Sequence, residues 1–372
     1  VTLDRVRSAD APRGLAVGGT VNATLVDNRL RIVADARSNG AVEASADVTL
    51  PVVASAAPLR LAIDRTGAMS GQVSAKGQIQ PIWDLFFGGE RSLEGQIDAD
   101  ATLAGTLNAP RLNGRLDLTA GAFRDNGTGL RLGDVVLASR FDDEVAVIER
   151  FTATDTAGGT VSGTGRLGLR EGCGSTARLD FTRFRVIDNE IAEARASGPL
   201  TITRATDGNI TLAGELDIDE ANISPNLPGS NGIVRMDVVE INRPGGNTVE
   251  VEEAVAPAPG PQINLDIRLR SPGGDVRVVG RGLNVEMNVR ATVGGTISAP
   301  TLSGRANVVR GDYDFAGKRF VFDEDGYVTL STDPARIILS LSATREDPAL
   351  TATVRVTGTA AKPEIELTSA PA

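Results

Sequence analysis

The chain has 372 residues, with 38 Lys and Arg against 48 Asp and Glu, a net charge of -10, and 41% hydrophobic residues. The acidic balance disfavours a nucleic-acid partner, since it repels phosphate, and the apolar content excludes a disordered acidic tail. Histidine is absent and Cys173 is the single cysteine, which removes the usual general base, the commonest metal ligand, any internal disulfide and any cysteine zinc cluster. The expectation is a non-enzyme without cofactor or metal.

From the N-terminus onward, apolar and polar residues alternate with a period of two, the pattern of strands with one dry and one wet face. Leu59, Leu61 and Ile63 begin it over residues 1–80. Pro81 opens a different stretch, 81–94, holding Ile82, Trp83, Leu85, Phe86 and Phe87; it reads as a short amphipathic helix that either packs on the sheet or caps an apolar groove. Strands resume over 95–242. Residues 243–261, rich in Pro, Gly and Glu, read as a mobile loop. A final strand block covers 262–372. There Ile263, Leu265, Ile267 and Leu269 alternate with polar residues, as do Val285, Met287 and Val289, and then Ile337, Leu339 and Leu341.

Asn-Gly and Asp-Gly pairs (Asn39-Gly40, Asn126-Gly127, Asp207-Gly208, Asn231-Gly232, Asp325-Gly326) and Gly-Gly pairs at 18, 88, 158, 245, 273 and 294 punctuate the runs. Such pairs reach positive φ cheaply, so they predict hairpins and a meander of antiparallel neighbours. The fold class is therefore all-β: an elongated, curved antiparallel sheet forming a hydrophobic groove, with at most one or two short helices.

Several local signals have bland readings. Gly163 to Gly168 spells G-x-G-x-x-G, but no helix pattern follows, so a strand is expected instead of a dinucleotide loop. Arg310-Gly311-Asp312 fits a hairpin turn. The acidic groups Asp142-Asp143-Glu144, Glu250 to Glu253 and Asp323-Glu324-Asp325 lack EF-hand spacing and read as solvated loops. No apolar run reaches the ~20 residues of a spanning helix. The chain begins at Val1, without Met, and reads as a piece of a longer protein.

An internal echo remains. Gly105 to Arg115 (GTLNAPRLNGR) matches Gly295 to Arg305 (GTISAPTLSGR) at seven of eleven positions, and Gly358 to Leu367 (GTAAKPEIEL) is a weaker copy. With Arg281-Gly282-Leu283, Gly295 to Gly304, and Arg310-Gly311-Asp312-Tyr313 to Gly326, the block from Val276 to Leu330 resembles the C-terminal domain of the TamB family, an AsmA-like group. The resemblance is specific over about residues 200–369 and looser back to about residue 70. It implies a protein anchored in the inner membrane and crossing the periplasm. It also implies a BamA-like outer-membrane partner called TamA, phospholipids and outer-membrane β-barrel clients as cargo, and a place in the translocation and assembly module.

Joined to the strand pattern, this gives two expectations. Ile263, Leu265, Ile267, Leu269, Val285, Met287, Val289, Ile337, Leu339 and Leu341 are expected to line a groove that shields apolar cargo. Val354, Val356, Ile365 and Leu367 are expected at an edge that pairs with a partner strand. The competing readings are an outer-membrane barrel, which needs aromatic girdles where this chain has 3% aromatics, and a secreted β-rich adhesin, which needs a repeat near 20 residues.

Overall fold

A computed structural model describes residues 2–6, 17–38, 41–56, 59–87, 89–126, 129–170, 172–188, 192–224, 262–273, 275–280, 282–315, 317–348 and 350–371. The expected mobile loop at 243–261 lies outside the described residues, as do Asn39-Gly40 and Asn231-Gly232.

Nearly everything described is strand. The first block holds β1 (Thr2–Val6), β2 (Val17–Val26), β3 (Arg29–Ser38), β4 (Val42–Ala56), β5 (Leu59–Ile63) and β6 (Ser70–Gln78). After helix α1 (Gln80–Phe87) come β7 (Arg91–Gly105), β8 (Pro110–Asp125), β9 (Arg131–Asp143), β10 (Val145–Thr154), β11 (Thr160–Gly168), β12 (Ser175–Asp188), β13 (Ala192–Arg204) and β14 (Ile210–Ile223). The last block holds β15 (Ile263–Arg270), β16 (Val276–Gly280), β17 (Leu283–Thr296), β18 (Ala299–Phe315), β19 (Lys318–Phe322), β20 (Tyr327–Ser331), β21 (Leu339–Asp347), β22 (Leu350–Thr359) and β23 (Lys362–Pro371).

Each strand pairs antiparallel with the one before it through most of the chain. One junction departs from the predicted meander. β14 runs parallel to both β15 and β16, with Leu212 opposite Leu265 and Ala221 opposite Val276. Two hydrophobic-period strands with no tight turn between them carry no sequence mark of their relative direction, so the reading from residues alone had no means to foresee this. β15 and β16 are one strand interrupted at 271–275, since both pair with β17. β19 and β20 are likewise interrupted at 323–326 against β18. β5 and β6 share β4 in the same way. The sheet is thus about 20 ranks wide, a contour on the order of 90 Å at ~4.8 Å per rank.

The echoed motif has a shared geometry. Gly105, Gly295 and Gly358 have φ of 82°, 75° and 86°, and stand opposite Pro110, Pro300 and Pro363. In each turn the threonine hydroxyl accepts a backbone N–H: Thr106 from Ala109 (3.0 Å), Thr296 from Ala299 (3.2 Å) and Thr359 from Lys362 (3.2 Å). Glycine supplies the left-handed conformation and threonine satisfies an otherwise open donor.

Other punctuation behaves differently. Asp207-Gly208 and Gly158-Gly159 lie in hairpin turns, but Gly18-Gly19 lies inside β2. Arg310-Gly311-Asp312 is not the expected hairpin turn; it lies within β18, with Gly311 opposite Val285. A Cβ at Gly311 would run into the Asn284 carbonyl, so the glycine there permits close strand approach.

Register shifts recur in β7 at Glu94/Gln96, in β8 at Leu118/Gly121, in β10 at Ile148/Phe151 and in β12 at Phe181/Phe184. Ala120 and Arg183 take positive φ at two of these points (49° and 48°), and Asp134 (48°) does so on β9 facing a further shift at Thr152/Thr154. Bulges bend strands and raise their twist, so this row curves the sheet. Asp155 pins one of them: its carboxylate accepts the N–H groups of Ala157 (2.7 Å), Gly159 (2.8 Å) and, across the sheet, Arg185 (2.6 Å).

Candidate functional site: the apolar face

The strand registers carry the alternation from one strand to the next without a slip of face. One lane runs Val42, Gly77, Ile97, Leu118, Leu137, Phe151, Gly163, Leu179, Leu200, Gly214, Ile267, Val293, Leu302, each residue directly opposite the next. Thirteen strands contribute, and every rung is apolar or glycine. A parallel lane from Ala44 through Ala75, Ala99 and Leu116 reaches Ala177, Ile202, Leu212 and Leu265, with Ser139 as its one hydroxyl. Ser139 is satisfied by donating to the Leu116 carbonyl at 3.0 Å. A one-residue slip would turn a strand's other face into the lane, and at Val42, Ile97, Leu118 or Ile267 it can bring in Glu43, Asp98, Asp117 or Asp266.

Most charge is kept on the opposite face, where cross-strand pairs recur: Arg31 with Asp47 (2.6 Å), Arg115 with Asp100 (3.1 Å), Arg270 with Glu215 (2.7 Å) and Asp217 (3.0 Å). Glu286 is clasped by Arg310 (2.6 Å) and Arg277 (2.9 Å). Hydrogen bonds from Arg310 first and Arg277 second hold its carboxyl below the usual carboxylate range. These pairs tie strands together, but apart from the half-buried Glu286 they are exposed and contribute little individually.

The predicted groove residues fall on the apolar face at different depths. Val285, Met287 and Val289 are buried, in a cluster with Ala306, Val308, Phe320, Phe322 and Ala343. Ile263, Leu265, Ile267, Leu269, Leu339 and Leu341 are half-buried, and so is Ile337, which lies just before β21. The four residues predicted at an edge join the same face. Val354 is buried, Val356 is half-buried, and Ile365 and Leu367 on β23 are 71% and 64% exposed. Val354 is opposite Leu367, and Val356 lies between Leu341 and Ile365. The residues predicted for a groove and for an edge therefore lie on one surface: side chains of β23 extend the apolar face, while its backbone pairs, among the described residues, with β22 alone.

At this end the face closes into an apolar recess of about 320 Å³, lined by Leu283, Tyr313, Phe315, Leu341, Ile365 and Leu367 among others. Leu283 on β17 and Ile365 on β23 are five ranks apart, about 24 Å along the sheet, yet they share this recess, so the sheet curls here. Sequence reasoning missed Leu283, Tyr313 and Phe315. Their alternation with Asp312 and Asp314 was the available signal, obscured by the turn assigned to Arg310-Gly311-Asp312.

At the other end, α1 lies against β7 and reaches β2, three ranks from β6. Its own Pro81 and Asp84 are buried, while its Phe86 and Phe87 are 70% and 63% exposed.

The profile of the TamB C-terminal domain matches residues 149–372. The chain is also similar to the translocation and assembly module subunit TamB of Haemophilus influenzae, 25% identical over 364 residues, which covers 95% of this chain and 27% of that protein. The chain thus spans about a quarter of the length of this relative.

Proposed function

Because the chain belongs to the TamB family, we propose that it is the stretch of a translocation and assembly module subunit in which apolar cargo is shielded on its way through the periplasm. The protein carrying it is anchored in the inner membrane and serves outer-membrane biogenesis. The observation that carries this reading is the thirteen-strand lane in which every rung is apolar or glycine. A sheet with one dry face needs a cover, and one eight-residue helix among the described residues covers a small part of it. Acyl chains of phospholipids, or apolar segments of outer-membrane β-barrel proteins, supply that cover. Each methylene withdrawn from water gains about 0.8 kcal/mol, while headgroups stay at the rims.

Docking on a BamA-like outer-membrane partner of the TamA kind uses β23, which pairs with β22 on one side and, among the described residues, has no strand on the other. A partner strand adds there by β-augmentation. Removing residues 350–369 is expected to abolish partner capture while the preceding strands keep their hydrogen-exchange protection.

The cargo reading is tested by incubating the purified chain with vesicles carrying a trace of pyrene-labelled phospholipid and separating vesicles from soluble protein. Labelled lipid is expected in the protein fraction, and Leu200→Asp together with Ile267→Asp is expected to leave it with the vesicles. If no label leaves the vesicles with the unmodified chain, lipid carriage is refuted.

A further inference from the structure

Charged residues are rare on the apolar face, which makes one pair at its rim conspicuous. Arg91 is opposite Asp125 and Leu93 is opposite Phe123. Positions two apart on a strand share a face, so Arg91 and Asp125 stand on the apolar side, at the rim where β7 begins and β8 ends. The Asn126 N–H donates to the Glu90 carbonyl at 2.9 Å and closes the ladder there. α1 leans over the same rim, and its Trp83 indole N–H donates to the Arg91 carbonyl at 3.3 Å.

These elements enclose an open recess of about 490 Å³ lined by Trp83, Phe87, Phe123, Glu90, Arg91 and Asp125. Its walls are aromatic. Trp83 meets Phe123 edge-on, with centroids 6.3 Å apart and planes at 89°, and meets Phe87 at 5.0 Å and 40°. Its charges are one guanidinium and two carboxylates. Arg91 contacts Asp125 through Nε at 3.3 Å, and among the described residues its two terminal nitrogens meet no other anion. The Asp125 side chain is 12% exposed, and the Glu90 carboxylate has no ion partner among the described residues.

We propose that this recess is a headgroup site for an amine-bearing phosphodiester, the chemistry of an ethanolamine or choline phospholipid headgroup, binding ammonium among Trp83, Phe87, Phe123, Glu90 and Asp125 and phosphate on Arg91. Aromatic ring faces attract a cation, and more strongly when it is withdrawn from water. The carboxylates add charge, and accept hydrogen bonds from a primary ammonium. The two terminal nitrogens of a guanidinium match two phosphate oxygens. The net charge of the recess side chains, one positive against two negative, disfavours a headgroup that brings a phosphate without an amine. The site sits at the rim of the apolar face, so a lipid held here would leave its acyl chains toward Leu93 and Leu132, which pack with the cluster around Leu118.

Trp83 is the only tryptophan of the chain, so its emission reports on this recess and on nothing else. Titrating the full chain with glycerophosphoethanolamine, glycerophosphocholine and glycerophosphoglycerol separates headgroup recognition from acyl burial, because none carries an acyl chain. Either or both amine compounds are expected to change Trp83 emission saturably, and the glycerol compound is not. Glu90→Gln with Asp125→Asn is expected to weaken the amine compounds about tenfold, with an unchanged far-UV spectrum as the check on folding. A flat titration with both amine compounds, or an equal response to all three, overturns the site. Dihexanoyl phosphatidylethanolamine below its micelle concentration is the second arm: binding equal to that of dihexanoyl phosphatidylglycerol overturns headgroup selection even where acyl chains are held. Vesicle extraction of pyrene lipid is independent of this site, so failure of the headgroup proposal and failure of the cargo reading give different results.

Discussion

Two stretches of one face bury their apolar side chains to different extents. Around residues 93–184 the contiguous buried cluster is small: Leu118, Val135, Ala153, Val161 and Phe184. Around residues 194–356 it includes Met287, Val289, Val308, Phe320, Phe322 and Val354, with many half-buried neighbours. Both stretches follow the same period-two pattern and share the same lanes. Both bring phenylalanines to the face, Phe151, Phe181 and Phe184 in the earlier stretch and Phe320 and Phe322 in the later, so side-chain size does not set them apart. The difference lies in curvature. The interruptions at 271–275 and 323–326 accompany the tighter curl that lets β17 face β23. Alternation thus determines which side is dry, and strand breaks with the curl they accompany determine how far that side covers itself.

The comparison breaks most visibly when charge enters a buried cluster. Val289→Asp places a carboxylate where 8% of the residue is exposed, at an expected cost of about 4 kcal/mol or more. In a sheet whose strands contact their neighbours, the damage is expected to stay local. Hydrogen exchange is expected to accelerate across β15–β22 while β7–β12 keep their protection; uniform loss along the chain would mean the two stretches fold as one unit.

Gly77→Val probes the strands that precede both stretches. Gly77 has φ 116°, and a Cβ there would strike the Ala41 carbonyl and approach Val42. A loss of ~2–4 kcal/mol is expected in denaturant unfolding, with exchange increased in β4 and β6.

Asp155→Asn is expected to cost about 1–2 kcal/mol. Burial raises the Asp155 pKa, but backbone N–H groups from Arg185, Ala157 and Gly159 outweigh it and hold the carboxyl below its usual range. A depressed folded-state value means the stabilisation is present above the unfolded-state pKa and is lost as pH falls through the folded-state one. The variant is therefore expected to lose less stability on acidification than the parent, read as a shallower acid limb in pH-dependent unfolding.

The smallest effect is expected at Arg270→Gln, which removes contacts to Glu215 and Asp217 on the charged face. An unfolding midpoint indistinguishable from the parent is expected, because exposed pairs contribute little; a large shift would mean that the charged face carries the fold.

Much of this was legible from residues. The alternation at Ile263 to Leu269 placed those side chains on one face, and the Gly-Thr…Pro echo marked three equivalent hairpins. The parallel pairing of β14 with β15 was not legible, because alternation fixes a face and not a direction. Arg310-Gly311-Asp312 was read as a turn because glycine between charges resembles one; the close approach of β17 that requires Gly311 is a tertiary contact with no local signal. The aromatic recess was half visible: Trp83 and Phe87 stood out, but Phe123, Arg91 and Asp125 reach them through pairing and a bulge.

Photo-crosslinking with a residue-by-residue probe along β15 and β17 tests the central claim most directly. With lipid vesicles present, labelling is expected at Ile267, Leu269 and Val293 and absent at Arg268, Arg270 and Thr292, a period of two that follows the dry face. Equal labelling of both sets, or labelling confined to the charged side chains, would contradict it.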